Sequence, residues 1–169
     1  MGFPKPDEAA AHYSTYINRI SNDNILDVLE SQLRDTSALF GDISEEKSLH
    51  RYAPEKWSIR QVLNHVNDTE RVFAFRALWF ARNFSGPLPS FDQNVGANAA
   101  RADEYSWASH AQEFRRIRQA TLAFFQNLPS EAWARSGVAS GMSVTVNALA
   151  YIIAGHFAHH MAILRERYL

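Results

Sequence analysis

Apolar residues recur at steps of three and four through most of the chain, and the pattern resolves into four long helical segments. Leu26, Leu29, Leu33, Thr36 and Phe40 mark the first, near 24–41, with caps on offer in Ser21-Asn22-Asp23-Asn24 and a stop at Gly41. The second runs near 58–83. Ser58-Ile59-Arg60-Gln61 is a capping box that opens it, Trp57 is placed to pack back as a hydrophobic staple, and Val62, His65, Thr69 and Val72 form its inward line. The third, near 106–128, turns His110, Phe114, Ile117, Thr121 and Phe124 inward and halts at Pro129. The fourth, near 143–168, carries Val146, Leu149, Ile153, His156, His160 and Ile163 on one stripe. Asp7 to Ile20 reads as a short amphipathic opening helix, and no alternating pattern of useful length predicts a strand. The expectation is an all-α four-helix bundle forming one domain over residues 1–169.

Phe84 to Tyr105 breaks the pattern. Proline, glycine and asparagine dominate and no period holds, so 84–105 is expected to be a long loop of the kind that forms lids or binding surfaces. Ser130 to Trp133 is expected to make one further turn, and Gly137 to Gly141 to lead into the last helix.

Composition narrows the chemistry. A formal net charge of −1 gives no electrostatic footprint for nucleic acid or an anionic membrane, so neither is an expected partner. The opening MGFPKPDEAA lacks an apolar signal-peptide core, and no apolar run is long enough to span a bilayer, which makes a cytoplasmic protein the expectation. With no cysteine, disulfides, thiolate ligands and a cysteine nucleophile are excluded, and any metal must be held by nitrogen and oxygen.

Against that background the histidines stand out. His156 and His160 lie one turn apart on an apolar stripe, where each ring nitrogen needs a partner once water is gone. His65 sits in the seam of another helix. Three imidazoles from two helices would leave coordination positions open, an arrangement suited to zinc, nickel, iron or manganese. The competing reading is three separate core histidines, each bonded to a carbonyl. His110 and His159 are further ligand candidates, the first near its helix start and the second about 100° off the ligand face. Asp68 could orient His65 or act as a base, or simply form a salt bridge. Arg76 could hold a substrate carboxylate or join a surface ion pair, and Asp92 could reach the metal mouth or make an Asx-turn. Gly155 suggests close approach by another helix, and Phe73, Phe75, Trp79 and Phe80 suggest core or a dimer face.

The run Tyr52-Ala53-Pro54-Glu55-Lys56-Trp57-Ser58-Ile59, followed by His65 and Asp68-Thr69-Glu70-Arg71, resembles the second helix of the DinB-like superfamily. Leu88-Pro89-Ser90-Phe91-Asp92 resembles the loop that follows it, and His156 to His160 the closing helix, so the likeness spans nearly the whole chain. It implies an up-down-down-up bundle, often a homodimer, that binds nickel or zinc through His65, His156 and His160. It also implies a small-molecule substrate, since related bacillithiol transferases and mycothiol-dependent isomerases activate a low-molecular-weight thiol on the metal. One departure is Phe157, where relatives often have an acid; it faces away from the ligand line. Two functions remain open. One is a metal-dependent enzyme, a thiol S-transferase or hydrolase; the other is a non-catalytic metal-binding helical dimer with a structural or stress-related role.

Overall fold

The computed structural model describes residues 2–169. Four long helices form the bundle: α2 (Ile25–Gly41), α3 (Ile59–Ala81), α5 (Trp107–Gln126) and α6 (Val146–Arg167). Two short ones accompany them, α1 (Ser14–Ile17) and α4 (Gln93–Ala100). The cross-helix pairs set the directions. Glu30 meets Gln126 while Phe40 meets Trp107, so α2 and α5 are antiparallel. Asn67 meets His110 and Arg71 meets Glu113, so α3 and α5 are parallel. His65 faces His160 while Phe73 faces His156, so α3 and α6 are antiparallel. Tyr151 bonds to Asp23 and Ala154 to Gln32, so α6 runs with α2. The topology is up-down-down-up.

Side-chain caps start three of the four long helices; at α2 the offered cap Asn24 makes no such bond, and Asn22 Oδ1 accepts from the Asn24 amide instead. Ser58 Oγ accepts from the Gln61 amide at 3.1 Å and Gln61 Oε1 accepts from the Ser58 amide at 3.0 Å, so each side chain satisfies a free donor at the start of α3. Ser106 and Thr145 cap α5 and α6 from one side only, each side-chain oxygen accepting one backbone N–H. The last of these places the start of α6 a little later than the periodicity suggests, because Met142–Thr145 is a strand.

That strand, β2, pairs antiparallel with β1 (Ser136–Ala139), which the hydrophobic pattern did not predict. Four residues are too few to establish an alternating period; the readable signal was the turn pair Ser140-Gly141, both at positive φ (54° and 77°) as a two-residue hairpin requires. The 84–105 stretch is also more ordered than expected. Leu88 bonds to both sides of β1's end, donating to the Val138 carbonyl and accepting from the Ser140 amide. Asp92 then opens α4, whose alanine-rich turns have no apolar face for a period to reveal. The opening segment is less helical than expected. Only a 3₁₀ turn (Ala11–Tyr13) and α1 form within 7–20.

Helix α6 is the axis of the molecule. From Val146 to Phe157 every residue is buried, so the single predicted stripe is in fact a helix covered on all sides. Gly155 permits this. A Cβ there would lie 2.1 Å from the Tyr16 carbonyl oxygen, so α1 crosses α6 where no side chain intervenes. On α3 and α5 the inward lines hold at Val62, His65, Thr69, His110, Phe114 and Thr121 and slip by one residue at three other places. Phe73, Arg118 and Phe125 are buried where Val72, Ile117 and Phe124 are only partly covered. Arg118 is admitted because Glu70 opposes it, with Nε to Oε1 and Nη2 to Oε2 both at 2.8 Å and Gln32 on Nη1. Phe157 turns to this cluster, stacked on Phe114 at 4.9 Å beneath the Arg118 guanidinium.

Candidate metal centre

The antiparallel pairing of α3 and α6 brings His65 opposite the HxxxH turn of the last helix. His65 Nε2 lies 3.0 Å from His156 Nε2, and His160 Nε2 lies 3.1 Å from the same atom. One ligand atom from each of the three falls within 4.8 Å of the other two. His65 and His156 are buried, and His160 is partly open.

Three imidazoles cannot satisfy one another here. His156 Nε2 can share at most one proton with its two neighbours, so lone pairs are left converging in a dry site. A cation is what such a donor set fits. Tetrahedral zinc with Zn–N bonds near ~2.0–2.1 Å spaces its nitrogens by about 3.3 Å, close to the separations found. Thr69 Oγ1 stands 3.4 Å from His65 Nδ1. If Nδ1 carries the proton and the hydroxyl accepts it, Nε2 is left free as a ligand atom.

The electrostatics favour the same state. Burial, reinforced by the His159 charge, lowers the His65 pKa to about 4. Burial, with His65, His159 and Arg19 behind it, lowers that of His160 to about 3. Burial drives His156 well below the ordinary value. All three rings are therefore neutral near pH 7 and need lose no proton to ligate.

The other candidates sit elsewhere. His159 is half-buried against Tyr16 and outside the cluster. His110 donates from Nε2 to the Ala102 carbonyl at 2.9 Å, at the start of α5. Asp68 turns from His65 toward Asn64 and Arg71, and burial raises its pKa. Asp92 accepts from the Asn94 and Val95 amides as the cap of α4. Arg76 is not exposed and, among the described residues, makes no ion pair. It is buried and bonds to Pro89 O and Ser140 Oγ. Phe73 and Phe80 are core, while Phe75 is half-exposed and packs at a tilt in a group with Trp79 and Phe84.

Three residues near the histidines were not singled out by the sequence as site residues. Tyr16, delivered by the Gly155 crossing, packs edge-on to His156 at 5.2 Å. Thr69 was visible only as a member of the inward line. Trp57 packs 5.0 Å from His65, and its carbonyl accepts from Tyr168.

A pocket of about 270 Å³ opens on His160. Trp57 and Ile163 form its apolar wall and Glu55, Lys56, Asn94 and Tyr52 its polar rim. A larger apolar groove of about 490 Å³, between α3 and α5, holds Phe75, Leu78 and Phe124 but no histidine.

The fold and these residues define a class, the four-helix bundles with a histidine triad able to hold a metal ion in their interior. The chain belongs to the DinB superfamily, whose family model matches residues 29–164. Among solved structures it is similar to YfiT from Bacillus subtilis, described as "a probable metal-dependent hydrolase with an unusual four-helix bundle topology". The two share 16% identity with a TM-score of 0.65 over 98% of this chain and 94% of that one, a likeness of fold. No curated protein matches the chain. Among the described residues no helix is long and apolar enough to cross a membrane.

Proposed function

We propose that His65, His156 and His160 hold a divalent metal ion, nickel or zinc before iron or manganese, and that the chain is a metal-dependent enzyme. Its reaction is hydrolysis or thiol S-transfer on a small molecule. The observation that carries this reading is the pocket at His160. A purely structural ion would be closed in by a fourth protein ligand, whereas here one member of the cluster, His160, lines a polar-rimmed cavity and neither His110 nor His159 joins the three.

When bound, the ion would supply positive charge that neutral imidazoles leave uncompensated, lowering the pKa of a water or thiol nucleophile toward neutrality. The protein's own residues do the rest. Trp57 and Ile163 keep bulk water off one side of the mouth, which strengthens electrostatics within it. Thr69 holds the His65 ring, and Tyr16 packs edge-on against His156. Lys56 and Asn94 at the rim offer donors to a polar substrate group. The description of YfiT supports the hydrolytic branch, and the family resemblance supports the thiol branch.

The competing reading, a non-catalytic metal-binding homodimer, would draw on the apolar groove between α3 and α5 and needs no pocket at the ligands. Turnover separates the two. Protein loaded with nickel or zinc is assayed against activated esters and amides, and against thiols with an electrophilic acceptor. Metal-dependent turnover lost in His160→Ala supports the enzyme. A fully loaded protein inert to both panels and dimeric in solution supports the structural reading.

A further inference from the structure

We propose that Arg76 binds a carboxylate of the substrate, so that molecules acted on at this centre carry a carboxylate set apart from the reacting end. As a statement about substrates this rests on the metal-enzyme reading above; as a statement about binding it stands on Arg76 itself.

Three arginines are buried among the described residues: Arg60, Arg76 and Arg118. Two of them have an acid. Arg60 meets Glu45 at 2.6 Å and Arg118 meets Glu70 at 2.8 Å. Arg76, only 2% exposed, makes no ion pair with any described Asp or Glu. Its Nη2 donates to two neutral oxygens, Pro89 O and Ser140 Oγ, both at 2.9 Å. Its Nε and Nη1 make no hydrogen bond in the described chain, and they are not among the sealed polar atoms without partners. They therefore keep a narrow opening to solvent. A cation taken almost wholly out of water without a counter-charge is costly, and an entering carboxylate would relieve that cost.

The surroundings give the site a shape and a direction. The guanidinium sits in the corner between Phe73 and Phe91, 5.6 Å from each ring, and the two rings meet edge to face at 6.5 Å. Phe73 also abuts His156, at 6.4 Å between centroids. One phenyl ring thus separates the unmatched charge from the histidine cluster. Phe91 belongs to the same short segment as Asn94, which lines the pocket at His160. The rings beside Arg76 are apolar, which suits a carboxylate carried on an apolar body.

The test uses benzoate and its neutral counterpart benzamide as probes, with binding followed by calorimetry on full-length protein, both chelator-stripped and zinc-loaded. The expected result is tighter binding of benzoate by about tenfold or more, in both forms. Arg76→Met should abolish this preference. Arg76→Lys, which keeps the charge but changes its geometry, should weaken benzoate binding by about threefold or more. Ser140→Ala, which loosens the loop contact and leaves the cation, should retain the preference. The proposal is overturned by wild type without the preference, by its survival in Arg76→Met, or by unchanged benzoate affinity in Arg76→Lys should the methionine variant not fold. It is also overturned if only the zinc-loaded form shows the preference, since the carboxylate is then on the ion, or if Ser140→Ala loses it as fully as Arg76→Met. A stripped protein that binds benzoate through Arg76 but takes up no zinc would sink the metal reading and leave this one standing. Zinc uptake with no benzoate preference would do the reverse.

Discussion

An imidazole packed among imidazoles resists protonation, because each added charge is both desolvated and repelled by its neighbours. His65 and His160, with values near 4 and 3 against an ordinary 6.5, express that resistance. The sign for stability follows. The unfolded chain binds more protons than the folded one between these values and 6.5. Metal-free protein should therefore be at full stability above pH 6.5 and lose it steadily as pH falls through that window, as denaturant melts would show; a profile flat from 7 to 4 contradicts the burial argument. The loaded protein should release its ion well below 6.5, followed with a chromogenic chelator, and half-release at or above 6.5 would mean exposed rings. Thr69→Val should weaken metal affinity by about tenfold if the hydroxyl holds His65 in its ligating tautomer. Unchanged affinity would reduce Thr69 to packing.

Between elements, the contacts that matter most are α1 over α6 and α5 against α3. Gly155→Ala would drive a methyl into the Tyr16 carbonyl, so α1 must shift. A loss of roughly 1–3 kcal/mol is expected from urea unfolding, together with weaker metal binding as Tyr16 leaves His156. Glu70→Ala strands a fully buried Arg118 guanidinium, and a loss of about 3–5 kcal/mol is expected by the same measurement. A loss under about 1 kcal/mol would mean that water or Gln32 compensates. These elements also mark what could be read from the sequence. The four long helices announce themselves because each has apolar positions recurring over many turns, and α3, α5 and α6 open on a side-chain cap as well. Arg118 and Glu70 do not, since each looks like a solvated charge until the partner helix is placed beside it. The hairpin escapes because four-residue strands are too short to establish an alternation, and α4 because its alanine-rich turns show no apolar face.

For the whole molecule, the antiparallel course of α3 and α6 is what turns two distant segments into one site. His65 was readable as a seam residue and His156 and His160 as a pair; that all three share a point is a property of helix direction, which periodicity does not encode and the family resemblance implies. Asp68, Asp92 and His110 show the converse, residues of suitable chemistry whose side chains the fold engages elsewhere. The loop at 84–92, tied to the hairpin through Leu88, sets Phe91 against Phe73 and leads into α4, whose first turn brings Asn94 to the pocket at His160.

The central claim is that three imidazoles share one cation, and metal stoichiometry tests it most directly. Protein purified without an affinity tag, equilibrated with nickel or zinc and desalted, is analysed by mass spectrometry beside His65→Ala, His156→Ala and His160→Ala. One ion per chain in the wild type and substoichiometric metal in all three variants is the predicted result. A wild type that takes up no ion, or a His65→Ala variant that stays fully loaded, would contradict it.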